Sequence, residues 1–132
     1  YGIARGDLRH AAQFIHDYLK ANGIDQSVIL GASMGGGMVL MTALQYPEMV
    51  QGVIAVAPAW VESMKGDLGK IRQKTLLVWG SKDHVVPIAL SKEYASIIPA
   101  SRLEIVDGSG HPVYIEKPAE FVKITVDFLK NL

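Results

Sequence analysis

The period of the apolar positions changes several times along the chain. Leu8, Ala11, Phe14, Ile15, Tyr18 and Leu19 recur at helical spacing, Asp7 stands where it can cap that helix, and Asn22-Gly23 ends it. Ser27-Val28-Ile29-Leu30 then reads as a short buried strand, 34–46 as a helix stopped by Pro47, and 53–57 as a second apolar strand. Residues 66–69 fall in a connecting segment. A third strand, 75–79, is rich in branched and aromatic residues. Pro87 opens a further helix, which ends before Pro99, at a position where the missing N–H is harmless. Residues 103–106 form a fourth strand, and Pro118 opens a last helix in which Phe121, Ile124, Thr125 and Phe128 lie near one stripe. Strands that are apolar throughout and separated by helices predict an α/β fold, a mostly parallel sheet with helices on both faces. In such sheets sites form beyond the carboxyl ends of the strands, so the residues after each strand are where chemistry is to be sought.

Composition narrows the picture. The 132 residues fit one domain spanning 1–132, and 49% hydrophobic with 20% charged residues is ordinary for a globular chain. Thirteen basic residues balance thirteen acidic ones. That argues against a nucleic-acid partner, which needs a basic face. The absence of cysteine removes disulfides, thiolate metal sites and a cysteine nucleophile. It favours a reducing compartment, so a cytoplasmic location is expected. No metal or cofactor is called for. Residues 26–47 carry no charge and reach membrane length. Their glycines and polar Ser27, Ser33, Thr42 and Gln45 fit a strand, a sharp turn and a buried helix better, so no membrane partner is expected.

The first strand is followed by Gly31-Ala32-Ser33-Met34-Gly35, a G-x-S-x-G pattern. That pattern suits a sharp strand-to-helix turn with Ser33 at a strained apex. Gly31 and Gly35 are expected to remove side chains that would collide with the turn. Met34 N–H, at the helix start, would point where an oxyanion develops. No dinucleotide fingerprint and no P-loop lysine occurs in this run. The third strand is followed by Gly80-Ser81-Lys82-Asp83, which sets a carboxylate in the turn. The fourth is followed by Asp107-Gly108-Ser109-Gly110-His111, which sets an imidazole in a glycine-rich loop. Ser33, Asp83 and His111 thus follow three strands of one sheet, in the chain order Ser, Asp, His. Asp107 is a rival acid but lies only four residues before His111. His84 reads as a surface neighbour, and His10 and His16 as solvated helix residues. Trp60, Val61, Val85, Val86, Val113 and Tyr114 also follow strand ends. Of these, Trp60, Val85 and Val113 are the candidates for a substrate pocket.

These segments resemble the α/β-hydrolase superfamily. The likeness is carried by residues 28–36, 76–83 and 108–111 and by Glu116-Lys117-Pro118-Ala119-Glu120-Phe121, and covers nearly the whole chain. Gly110-His111-Pro112-Val113-Tyr114 and the Glu116 run resemble more narrowly a small cap-less group of that superfamily, which includes a hydrolase that interacts with a general transcription factor. The superfamily has about four strands before the serine turn, and this chain has none of them. Tyr1-Gly2 looks like the loop after the last of these. The second oxyanion donor would lie before Tyr1, so the missing strands would come from the rest of a longer chain or from a second chain. Ser33 and Asp83 are only 50 residues apart, so no cap and an open site for small substrates are expected.

The resemblance implies a serine hydrolase acting on a small carboxylic ester or thioester, with Ser33 as nucleophile, His111 as base and Asp83 orienting it. C–C bond hydrolysis or perhydrolysis on the same triad is a second possibility, and a serine at position 33 argues against a dehalogenase. The alternative of another class is a hydrolase-like interaction module or inactive fragment, favoured by the missing strands and opposed by the intact triad.

Overall fold

A computed structural model describes residues 7–132; the expected loop at Tyr1-Gly2 lies outside them. Helix α1 (Arg9–Ala21) leads into strand β1 (Ser27–Ala32), then α2 (Met34–Gln45) and β2 (Val50–Val56). A nine-residue 3-10 helix (Glu62–Lys70) connects to β3 (Lys74–Gly80). The chain closes with α3 (Ala89–Ile97), β4 (Ser101–Val106), the single turn α4 (Val113–Glu116) and α5 (Pro118–Lys130). The strands lie in the order β1-β2-β3-β4, and every pairing is parallel. The fold is therefore α/β, with the helices distributed over both faces of one parallel sheet. All four carboxyl ends fall on one edge.

Alternation in the central strands sorts the core into two layers. Val53 and Ala55 of β2 and Leu77 and Trp79 of β3 face α1, α2, α3 and the 3-10 helix. Ile54, Val56, Leu76 and Val78 face the other way, with Phe128 of α5 and Val113. Both parities are apolar because both faces are covered. Trp79 is fully buried, its indole N–H donates to the Val86 carbonyl (3.2 Å), and its ring lies 6.2 Å from that of Tyr94.

The local signals act as expected at most helix ends. Pro118 occupies the first turn of α5, and Gly23 takes φ +68° just past Asn22 at the end of α1. Pro47 ends α2 but starts one turn of 3-10 helix rather than a coil. Asp7 does not occupy the cap position, which is Leu8; its Oδ1 accepts from the Arg9 amide at 3.1 Å. The Arg9 side chain also binds it and holds its carboxyl well below the usual carboxylate range. β1 is expected as a buried strand at 27–30; among the described residues it pairs with β2 alone and is half-buried, with Leu30 49% exposed on the face where Val28 and Ala32 pack. The uncharged run 26–47 divides into β1, the turn at Ser33 and α2. Among the described residues no helix is long and apolar enough to cross a membrane.

Leu77 is fully buried between β2 and the helical layer. Leu77→Ala should lower unfolding stability by about 2–5 kcal/mol, through lost transfer energy and the cavity left behind. A denaturant titration should show an earlier midpoint with an unchanged slope.

Candidate active site

The turn after β1 is built around Ser33, whose backbone sits at φ +57°, ψ −119°. That left-handed conformation is costly for a residue with a Cβ. It is fixed from both sides. The Ser33 N–H donates to the Val56 carbonyl of β2 (2.9 Å), and the Ser33 carbonyl accepts from Gly36 (2.9 Å), Gly37 (3.2 Å) and Ala59 (2.8 Å). Met34 and Gly35 open α2, where helix amides have no intrahelical acceptors. The glycines matter differently from expectation. A Cβ on Gly31 would run into the Gly35 carbonyl, whereas one on Gly35 meets nothing within 4 Å. Close approach falls instead on Gly36, whose Cβ would lie 2.8 Å from Pro58 Cα, and on Gly37, whose Cβ would strike Ala59. The run Gly35-Gly36-Gly37 is the sequence signal for this seam between α2 and the loop after β2.

Asp83 follows β3 and is buried, with its side chain fully covered. Its Oδ1 accepts from the amides of Val85 (2.8 Å) and Val86 (2.9 Å). Its Oδ2 lies 2.7 Å from Nδ1 of His111. A carboxylate only accepts, so Nδ1 carries the proton, and in the neutral ring Nε2 is left as an acceptor. The imidazole is 20% exposed. The loop that holds it is tied down on several sides. Lys82 N–H donates to Ser109 (2.8 Å), Gly108 N–H to the Ser81 hydroxyl (2.8 Å), and Gly110 N–H to the Glu116 carboxylate (3.0 Å). At Gly80 the β3 backbone packs directly on Ser109 and Gly110, leaving no room for a Cβ. The rival acid Asp107 is exposed and receives the Ser81 hydroxyl at 3.4 Å, so the carboxylate on His111 is that of Asp83.

Ser33 opens onto a cavity of about 230 Å³ that Trp60, Glu62, Val85, Leu90 and Tyr94 also line. Larger grooves of about 510 and 540 Å³ lie elsewhere, lined mainly by α2 and the 3-10 helix and by β4 and α5. Neither holds Ser33, Asp83 or His111. The expected pocket residues divide. Trp60 and Val85 line the cavity, whereas Val113 is fully buried in the opposite layer with Val56, Val78 and Phe128. Position after a strand end does not say toward which face a side chain turns, and α4 turns Val113 inward. Val61 is core, Val86 lines the cavity, and the exposed Tyr114 packs edge-on to Phe121. His84 and His10 are exposed. His16 is half-buried rather than solvated, with Nδ1 2.9 Å from Asp17 and its ring stacked on Tyr46 at 4.3 Å. Glu62, Leu90 and Tyr94 were not anticipated. Leu90 and Tyr94 have a signal, the i, i+4 spacing in the helix that follows the Asp83 turn.

The phenol of Tyr94 is pushed above its ordinary value, first by burial and then by the negative charges of Glu62 and Glu93. Among the described residues, no group of three or more His, Asp or Glu side chains stands close enough to hold a metal ion. A parallel sheet that gathers a serine turn, a buried aspartate and its histidine at one edge defines the hydrolase type of α/β protein. Sequence comparison agrees: the profile of the alpha/beta hydrolase fold matches residues 4–67 and 60–118, and the chain belongs to that family. It is 26% identical over 121 residues to the "Putative protein-lysine deacylase ABHD14B" of Rattus norvegicus, covering 90% of this chain and 56% of that one. It is 28% identical over 137 residues to the "Monoacylglycerol lipase abhd6-A" of Xenopus laevis, with 86% and 41% covered. The chain thus spans about half the length of these curated relatives. Among solved structures, a predicted CIB-like hydrolase from Thermoplasma acidophilum superposes with a TM-score of 0.96 at 82% identity, covering all of this chain and 64% of that one.

Two outcomes follow from the site geometry. Gly80→Ala should push the Ser109-Gly110 segment away from β3 and cost about 1–3 kcal/mol in a thermal or chemical melt, as overpacking does. Tyr94 should set an alkaline limit. Above pH 10 the unfolded chain releases the phenol proton while the native state, with its raised pKa, still holds it. Stability therefore falls as pH rises through that window and stays fully present below it. Melts between pH 9 and 11 should show a shallower alkaline loss for Tyr94→Phe.

Proposed function

We propose that this protein is a serine hydrolase that cleaves small carboxylic esters or thioesters through an acyl-enzyme on Ser33. The single observation that carries the reading is the Asp83–His111 pair: a fully covered carboxylate with one oxygen held by two amides and the other 2.7 Å from Nδ1. It stands beyond the same sheet edge as a serine held at positive φ. The names of the relatives, a deacylase and a lipase, are consistent with acyl cleavage.

In this reading His111 Nε2 takes the proton of Ser33 Oγ as the oxygen bonds to the acyl carbon. The carbonyl oxygen gains the negative charge and is met by the Met34 N–H, one of the oxyanion donors. Asp83 keeps the imidazole in the required tautomer and stabilises the imidazolium. Collapse of the tetrahedral intermediate breaks the bond to the leaving group, which departs with the proton from His111. Water, deprotonated by His111, then attacks the acyl-serine and releases the acid and free Ser33. The small cavity, with no cap between β2 and β3 beyond one 3-10 helix, fits short acyl or alcohol groups.

Intact-mass spectrometry with a fluorophosphonate probe tests this on the full-length protein. One added probe mass is expected, absent from Ser33→Ala. Asp83→Asn should lower kcat on a short p-nitrophenyl ester by about 10³–10⁴ without unfolding the protein. No labelling of the folded protein would reject the hydrolase and leave a hydrolase-like binding module as the better account.

A further inference from the structure

The cavity at Ser33 carries a charge pattern that ester cleavage alone does not explain. Among the described residues Glu62 is the one charged side chain that lines it. It stands in the first turn of the 3-10 helix and is exposed. The cations of that helix are engaged elsewhere: Lys65 pairs with Glu93 and Lys70 with Asp67 (2.8 Å). Among the described residues no cation pairs with Glu62.

Trp60 supplies the second half of the pattern. Its backbone lies at φ +61°, a conformation rare for a bulky side chain. It is only half-buried, and it lines the same cavity. Trp60 packs in part against the core of the helical layer and also lines the cavity onto which Ser33 opens. Glu62 also lies close enough to Tyr94, which lines the same cavity, for its charge to help raise the phenol. An aromatic face and an unpaired carboxylate attract a small organic cation and repel an anion. A volume of about 230 Å³ is below the usual range for drug-sized ligands, so the occupant is small.

We propose that Trp60 and Glu62 form a cation subsite, and that the preferred substrate carries a small ammonium group placed there while its acyl carbon meets Ser33. The substrate assignment rests on the hydrolase reading above; the binding of the cation does not.

Two measurements on the full-length protein keep these apart. The first titrates tetramethylammonium chloride against tryptophan fluorescence, with sodium chloride at equal ionic strength as the reference. A saturable change is expected, weakened about tenfold in Glu62→Gln. The second compares kcat/KM for choline acetate with that for its uncharged isostere, 3,3-dimethylbutyl acetate. The ratio should be about ten in the wild type, several-fold lower in Glu62→Gln, where the Trp60 ring remains, and below one in Glu62→Lys. A wild type with no response beyond the sodium reference, or with equal binding in Glu62→Gln, overturns the subsite. Equal rates on the two esters overturn the substrate assignment while leaving the hydrolase standing. Saturable cation binding without turnover of either ester keeps the subsite and removes the hydrolase.

Discussion

Everything at the site depends on one turn. Ser33 leaves β1 and enters α2 within a single residue, with its backbone at positive φ. Such a conformation persists when its surroundings over-determine it. Here the Val56 carbonyl fixes the amide, and three amides converge on the carbonyl. One of these, from Ala59, ties the turn to the loop after β2, so the serine and the wall of its cavity are set by the same hydrogen bonds. The seam tolerates no side chain at Gly31, Gly36 or Gly37. The glycines act less by flexibility than by letting backbone touch backbone.

The histidine is held by a different logic. Its loop has no helix or strand of its own, and its anchors come from the β3 end and from α4. Gly80 packs against Ser109 and Gly110, Lys82 and Ser81 bind the loop backbone, and Glu116 closes it from the other side. Asp83 is fixed first, by amides two and three residues ahead, so it can offer Oδ2 in one direction only. A loop residue thereby acquires the rigidity of the sheet, which the proposed role of His111 as a base would require.

Much of this was legible in the sequence. The four strands were read within a few residues because each is a short apolar run between polar breaks, and the parallel sheet followed from helices lying between them. Ser33, Asp83 and His111 were nominated from their places after strands, and the structure bonds the second to the third. Two kinds of information were not legible. Side-chain direction depends on how a loop turns, so Val113 read as pocket when it is core. Short 3-10 and single-turn helices have too few residues to show a period, so Glu62–Lys70 and α4 left no pattern, and the anchoring role of Glu116 went with them.

The three non-glycine residues at positive φ are Ser33, Ala57 and Trp60 among the described residues, and they lie together. Ala57 directly follows β2, its amide bonded to Val78 of β3, and Trp60 ends the same short loop. At about 1–3 kcal/mol each, the strain in this cluster is a sizeable fraction of a domain's net stability. It is offset by the layers beneath, where Val53, Ile54, Leu76, Leu77 and Trp79 are all at most 1% exposed. Strain and rigidity are thus segregated along the same strands. The middles of β2 and β3 are packed on both faces, and the carboxyl ends of β1 and β2 lead into conformations that packing alone would not choose. The parallel sheet is therefore more than a scaffold here: the packed middles of β2 and β3 support a rim on which a strained serine and a strained tryptophan share one small cavity.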